Sequence, residues 1–189
     1  MKTTKKIIYI IWILVVVSLL ALFIISPTSF TPEAISEFIC QYESQLLIIY
    51  TVICIVRGLF LIPSTPFVLA GVLIFPDQPW AVFLISIIGV LIGSSAVYYF
   101  SDLLGFSKKL EEKYPKKIEA WHRRLNSPRS MLIVIAWSFF PLVPTDIICY
   151  VAGIVKMPYK YLMLGVAIGE VVLISAYIWF GNELLNMLG

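Results

Sequence analysis

Arg57-Gly58-Leu59-Phe60-Leu61-Ile62-Pro63-Ser64-Thr65-Pro66-Phe67-Val68-Leu69-Ala70-Gly71 decides the fold. It lies inside an apolar run, Leu46 to Pro76, whose one charge is Arg57. That run is too long for one plain span of a bilayer, and Pro63 and Pro66 interrupt it. Each proline removes an N–H donor and clashes with the preceding turn, so a continuous helix breaks there. Each half is expected to cross only part of the hydrocarbon, and the stretch reads as a re-entrant hairpin. Irregular backbone at membrane depth is tolerated only where protein or water satisfies its polar groups. Pro63, Pro66 and Gly71 are therefore assigned to shaping this hairpin.

The same theme returns downstream. Met131 to Val155 is apolar except for Asp146, is broken by Pro141 and Pro144, and is followed by Gly153 within the run. These three residues take the hairpin-shaping role in the second half. Each broken run leads into an unbroken one. Trp80 to Ser101 is uncharged and long enough to span, and Tyr161 to Asn182 carries Glu170 as its one charge. Gly89 and Gly93 in the first span have the spacing of Gly165 and Gly169 in the second, and Gly105 and Gly181 continue the match. Small residues four apart let helices approach closely.

Working outward, Lys2, Lys5 and Lys6 precede an uncharged run from Ile7 to Ile25. A signal peptide would have a shorter apolar region and a small-residue cleavage site. The run here is long and ends in Ser26-Pro27-Thr28-Ser29, so an uncleaved first span is expected. Glu33, Glu37 and Glu43 make residues 26–45 acidic. Thr31 as cap and Pro32 in the first turn predict a short helix there. Ile35, Phe38 and Ile39 would share its apolar face and lay it on the membrane surface. Residues 105–130 are basic, with Lys108, Lys109, Lys113, Lys116, Lys117, Arg123, Arg124 and Arg129 against Glu111, Glu112 and Glu119. This reads as a solvated cytoplasmic connector, or as a basic segment resting on anionic headgroups. Nucleic-acid binding is disfavoured, because the segment is short and tethered.

Charge placement decides between topologies. If each broken run crossed once, the N-terminal lysines and the basic connector would lie on opposite sides, against the positive-inside rule. If each enters and returns, the N-terminus, the connector, Lys156 and Lys160 are cytoplasmic, while residues 26–45 and the C-terminus lie outside. The expected fold is thus an all-α integral membrane protein. It is an inverted repeat of a re-entrant helical hairpin plus a transmembrane helix, preceded by an N-terminal transmembrane helix. The expected division is 1–44, then a membrane domain 45–185. That domain comprises a first half 45–105, a connector 106–130 and a second half 131–185. Composition agrees: 60% of the 189 residues are hydrophobic and only 13% charged, against about 25% charged in soluble domains. Inverted repeats with broken elements meeting at the midplane are a transporter architecture.

At these residues the chain resembles the DedA superfamily, also called the SNARE-associated or VTT-domain family. The resemblance covers roughly residues 45–185. It rests on the 57–71 stretch, on the glycine helix running through Tyr98 to Gly105, and on F-P-L-V-P-T-D-I-I-C-Y-V-A-G at 140–153. It implies two opposed re-entrant hairpins and a role in moving lipids between leaflets. Bacterial members are implicated in recycling undecaprenyl phosphate and in phospholipid translocation, and eukaryotic relatives act as scramblases. Where many members carry an arginine, three residues before the first proline of the second motif, this chain has Ser138.

Candidate chemistry rests on three charges within apolar segments: Arg57, Asp146 and Glu170. A charge at the bilayer centre costs about 2.5–3.5 kcal/mol on insertion scales, so such residues face a cavity or a partner. Arg57 is expected to help bind a lipid phosphate, with Asp146 or Glu170 gating or carrying a proton. The competing reading is a fixed internal ion pair that holds the hairpins together. The partners expected are membrane lipids with an anionic or polyprenyl-phosphate headgroup, in a bacterial plasma membrane; a homo-oligomer is compatible with this reading. No cofactor or metal site is expected, and no catalytic constellation. His122 stands in a polar loop without a partner of metal-ligand spacing. Cys40, Cys54 and Cys149 form no disulfide framework. A proton- or ion-coupled carrier of a small solute and a non-transporting membrane organiser are the alternatives.

Overall fold

The computed structural model describes residues 3–103, 112, 115–125, 127–141 and 143–188. Gly105 of the glycine pattern, and Lys108, Lys109, Glu111 and Lys113 of the connector, lie outside the described residues. Among the described residues there is no strand. The helices are α1 (Thr3–Ile25), α2 (Pro32–Cys40), α3 (Leu46–Val56), α4 (Thr65–Ile74), α5 (Pro79–Leu103), α6 (Pro115–Leu125), α7 (Pro128–Ser138), α8 (Thr145–Ile154) and α9 (Tyr159–Leu188). Glu43–Phe60, Pro79–Ser101 and Tyr159–Gly181 are long and apolar enough to cross a membrane. At 23 residues, α1 measures about 35 Å.

The two proline motifs each make a turn between antiparallel arms. In the first, α3 passes into a 3₁₀ segment, Arg57–Phe60, and Leu61 ends it in the left-handed conformation at φ 59°. Pro63 lies in the irregular turn. Pro66 stands in the first turn of α4, where a missing N–H costs nothing. The chain then runs back beside itself: the ring of Tyr50 near the start of α3 tilts against that of Phe75 just past the end of α4, with centroids 5.7 Å apart. In the second, Pro144 immediately precedes α8, and Trp137 Nε1 donates to the Pro144 carbonyl at 3.4 Å. Ser130 and Val134 of α7 share a cavity with Val151 and Val155 at the end of α8. The first arm is longer than expected. Short 3₁₀ segments on either side of α3 extend it to an 18-residue helical run, Glu43–Phe60.

The hairpins open toward opposite ends of α5. Gly71, late in α4, packs against Val82 near the start of α5, whereas Gly153, late in α8, packs against Tyr98 and Ser101 near its end. α9 runs antiparallel to α5. Its first turn meets the far end of α5 through Tyr159 and Ser95 at 2.8 Å, and Trp179 meets Trp80 near the start of α5 at 5.1 Å.

Glycines set these contacts. A Cβ at Gly89 would press on Cys54, and one at Gly93 on the Ile55 carbonyl and Gly58, so α5 lies close on α3. Gly165 and Gly169 meet Val134, Ile135 and Ser138, so α9 lies close on α7 in the same manner. Each first arm therefore packs on the span of its own half. Each return arm reaches the span of the other half, α8 on α5 and α4 on α9.

The N-terminal elements join this core. Thr31 caps α2, its hydroxyl accepting from Ala34 N at 3.3 Å, and Pro32 opens the helix. The apolar face differs from expectation. Ile35 and Ile39 are buried against the core, with α2 packed on α4, while Phe38 points outward against Tyr42. The face is satisfied by protein because α4 is apolar and packs on α2 in the same buried cluster. In α1, Trp12 Nε1 donates to the Leu59 carbonyl at 2.8 Å, and its ring stacks on Tyr150 and tilts against Phe100. This supplies a donor to a carbonyl in the irregular turn.

Candidate functional site

The tips of the two hairpins meet inside the helix bundle. Arg57 enters from the first turn, Asp146 from the first turn of α8, and Glu170 from the middle of α9. They are exposed by only 6%, 2% and 1% respectively. Arg57 Nη1 lies 3.5 Å from Asp146 Oδ2 and donates to the Ile62 carbonyl at 2.9 Å. The guanidinium thus ties the first turn to itself and to the second hairpin. Asp146 also has the start of a helix behind it, whose dipole favours an anion. Gly58 makes room: a Cβ there would stand 3.1 Å from Asp146 Oδ1 and 3.1 Å from the Gly93 backbone.

Glu170 lies within electrostatic reach of both Arg57 and Asp146. Thr145 Oγ1 donates to its Oε1. Glu170 Oε2 and Ser138 Oγ are buried without a hydrogen-bond partner among the described residues. A second threonine stands at the matching place in the first hairpin. Thr65, which opens α4, has its hydroxyl 3.4 Å from the Pro141 carbonyl and 3.2 Å from the Tyr177 hydroxyl. One guanidinium thus faces two carboxyls, and with both ionised the cluster carries one uncompensated negative charge.

Residues 62–183 match the VTT domain family. The chain belongs to that family. An uncharacterized protein of Methanocaldococcus jannaschii is 31% identical over 111 residues, which are 58% of this chain and 67% of that protein. No solved structure matches the chain. The VTT domain is the domain of the DedA and SNARE-associated proteins, so the chain is an integral membrane protein of that family. The match begins inside the first proline turn. It takes in Asp146 and Glu170 and leaves Arg57 just outside, together with α1, α2 and α3.

The structure brings Arg57, Asp146 and Glu170 together. It puts Pro63, Pro66, Pro141 and Pro144 in or beside the two turns of the VTT domain, away from helix interiors. Gly71 and Gly153 have a different place from the turns: they lie within α4 and α8 as contact points between helices. A Cβ at Gly71 would overlap the Tyr50 hydroxyl, and one at Gly153 would overlap Ser101 and the Tyr98 carbonyl. Ser138 is buried with its Cβ against Gly169, a packing position that admits only a small side chain. Reading the sequence missed Thr65, Thr145 and Tyr177. The threonines were visible as the residues that open both return arms, once S-T-P and P-T-D are set side by side.

Proposed function

We propose that this protein is a lipid translocase that moves phospholipid or undecaprenyl phosphate between leaflets. The observation that carries this reading is the meeting of two oppositely directed hairpin tips at Arg57, Asp146 and Glu170. In this reading the hairpins are re-entrant, the N-terminus and basic connector are cytoplasmic, and the C-terminus lies outside. The host is a bacterial plasma membrane. Broken helices that meet at the midplane offer turns, carbonyls and a cation where a headgroup must cross, while tails stay in lipid. The outer faces of the bundle support lipid contact, since Leu84, Ile88 and Ile92 on α5 and Ile168 and Val172 on α9 are exposed. A single proton on the two carboxyls would balance the cluster, which suits coupling to a proton gradient.

The closed geometry favours a second reading. Arg57 and Asp146 form a buried pair across the hairpins, and a membrane organiser needs no more than that tie. Purified protein in liposomes separates the two, with labelled phospholipid and labelled polyprenyl phosphate tested beside Asp146→Asn and Glu170→Gln. The translocase exchanges at least one lipid, and each variant exchanges it roughly tenfold more slowly, the scale of one charge-assisted hydrogen bond. Folded, inserted protein that exchanges neither lipid removes this reading and leaves the organiser or a small-solute carrier.

A further inference from the structure

The matched glycine contacts align the halves residue by residue. Cys54, Ile55 and Gly58 against α5 correspond to Val134, Ile135 and Ser138 against α9. Tyr50 therefore corresponds to Ser130, and because the return arms open at Thr65 and Thr145, Gly71 and Phe75 correspond to Val151 and Val155. In the first hairpin Tyr50 fills the space between the arms. It is fully buried, bonds Ser86 Oγ at 3.1 Å and lies on Gly71 and Phe75. In the second hairpin Ser130 is too small to do so, and its hydroxyl turns back to the Leu125 and Ser127 carbonyls. What remains is an apolar slot of about 270 Å3, lined by Ile133, Val134, Ile148, Val151 and Val155. It exceeds the roughly 150 Å3 cavity that accepts benzene.

The slot opens to the outside, since Ile133 is 61% and Val151 48% exposed. Two exposed cations adjoin residues of the slot in the chain: Arg129 precedes Ser130, and Lys156 lies between Val155 and Met157, both of which line it. The corresponding end of the first hairpin is a hollow of mixed character, with Glu43, Ser44, Gln45 and Gln78 beside Leu46 and Phe75, and no cation among the described residues lines it. We infer that the slot of the second hairpin seats one acyl chain of an anionic phospholipid, whose headgroup rests on Arg129 and Lys156. The seat loads lipid from the side of the basic connector and has no counterpart at the other end. This last consequence rests on the translocase reading; the seat itself does not.

The test is photolabelling of the full chain in vesicles of phosphatidylcholine doped with phosphatidylglycerol that carries a photoreactive acyl chain. Label should concentrate on 130–134 and 148–155, above that on the exposed Leu84 and Ile88. Ser130→Tyr, which restores the aromatic of the first hairpin, should abolish it. Val151→Phe obstructs the same slot from the other arm, should Ser130→Tyr not fold. Arg129→Gln and Lys156→Gln should each lower labelling about fivefold, the effect of one cation near an anionic surface. Equal labelling of all lipid-facing residues, or labelling by photoreactive phosphatidylcholine as strong as by phosphatidylglycerol, overturns the seat. So does displacement of the label by polyprenyl phosphate but not by phosphatidylglycerol. Labelling as expected in protein that exchanges no lipid keeps the seat and removes the translocase. Exchange without localised labelling does the reverse.

Discussion

The two hairpins share their packing and differ in nearly every residue that carries chemistry. Both lay a first arm on glycines of their own span and send a return arm to the other span. Yet Arg57 corresponds to Trp137, Asp146 to Pro66 and Glu170 to Ser94. No member of the charged cluster has a charged counterpart. The ion pair takes its cation from one half and its anion from the other. Repetition built the frame, and the site lies where the repetition fails.

The largest expected effect is on that asymmetry. Arg57→Ala leaves Asp146 buried and unpaired, and should lower stability by about 3–5 kcal/mol. Arg57→Met with Asp146→Leu should recover most of the loss. Thermal unfolding in detergent checks both, and equal damage from the single and double variants would show that the pair contributes nothing as a pair. Next, Tyr50→Ser should make the first hairpin resemble the second and cost about 3–5 kcal/mol through the cavity it opens. Phosphatidylglycerol photolabelling should still avoid that end, because the cations are missing; label there would break the comparison. Gly153→Ala should cost about 1–3 kcal/mol, since the added methyl overlaps backbone at Tyr98 as well as Ser101. Gly71→Ala should cost less, because the side chain of Tyr50 can move. The order of the two unfolding temperatures tests this. The smallest effect is Trp12→Phe, which keeps the ring contacts and loses the bond to Leu59, worth about 0.5–1.5 kcal/mol.

Much of the frame was legible because lipid restricts what a chain can do. A bilayer demands long apolar helices, prolines punctuate them, and paired glycines at matched spacing mark where helices touch. Hence the spans, the two breaks and the inverted repeat were readable from residues 57–71, 140–153 and the glycines. The three buried charges were readable too, because charge in an apolar run has so few explanations. Their mutual arrangement was not. Spacing along a chain says nothing of lateral neighbours, so which carboxylate meets Arg57 and which meets Thr145 needed coordinates. The same holds for α2, whose Ile35 and Ile39 read equally well as a lipid face or a protein face. It holds again for Tyr50 and Ser130, unremarkable until the glycine contacts align them. Trp12, outside the repeat, had no pattern to betray its bond to Leu59.

The exchange of return arms between the halves has a consequence for ancestry and for engineering. Half of this chain, a hairpin with its following span, would hold its first arm in place but expose the surface that the other half's return arm covers. A second copy could cover it only if inserted upside down. A gene encoding one half would thus rebuild the frame, without the Arg57–Asp146 pair, only when its product enters the membrane in both orientations, and fusing two such genes fixes one copy of each.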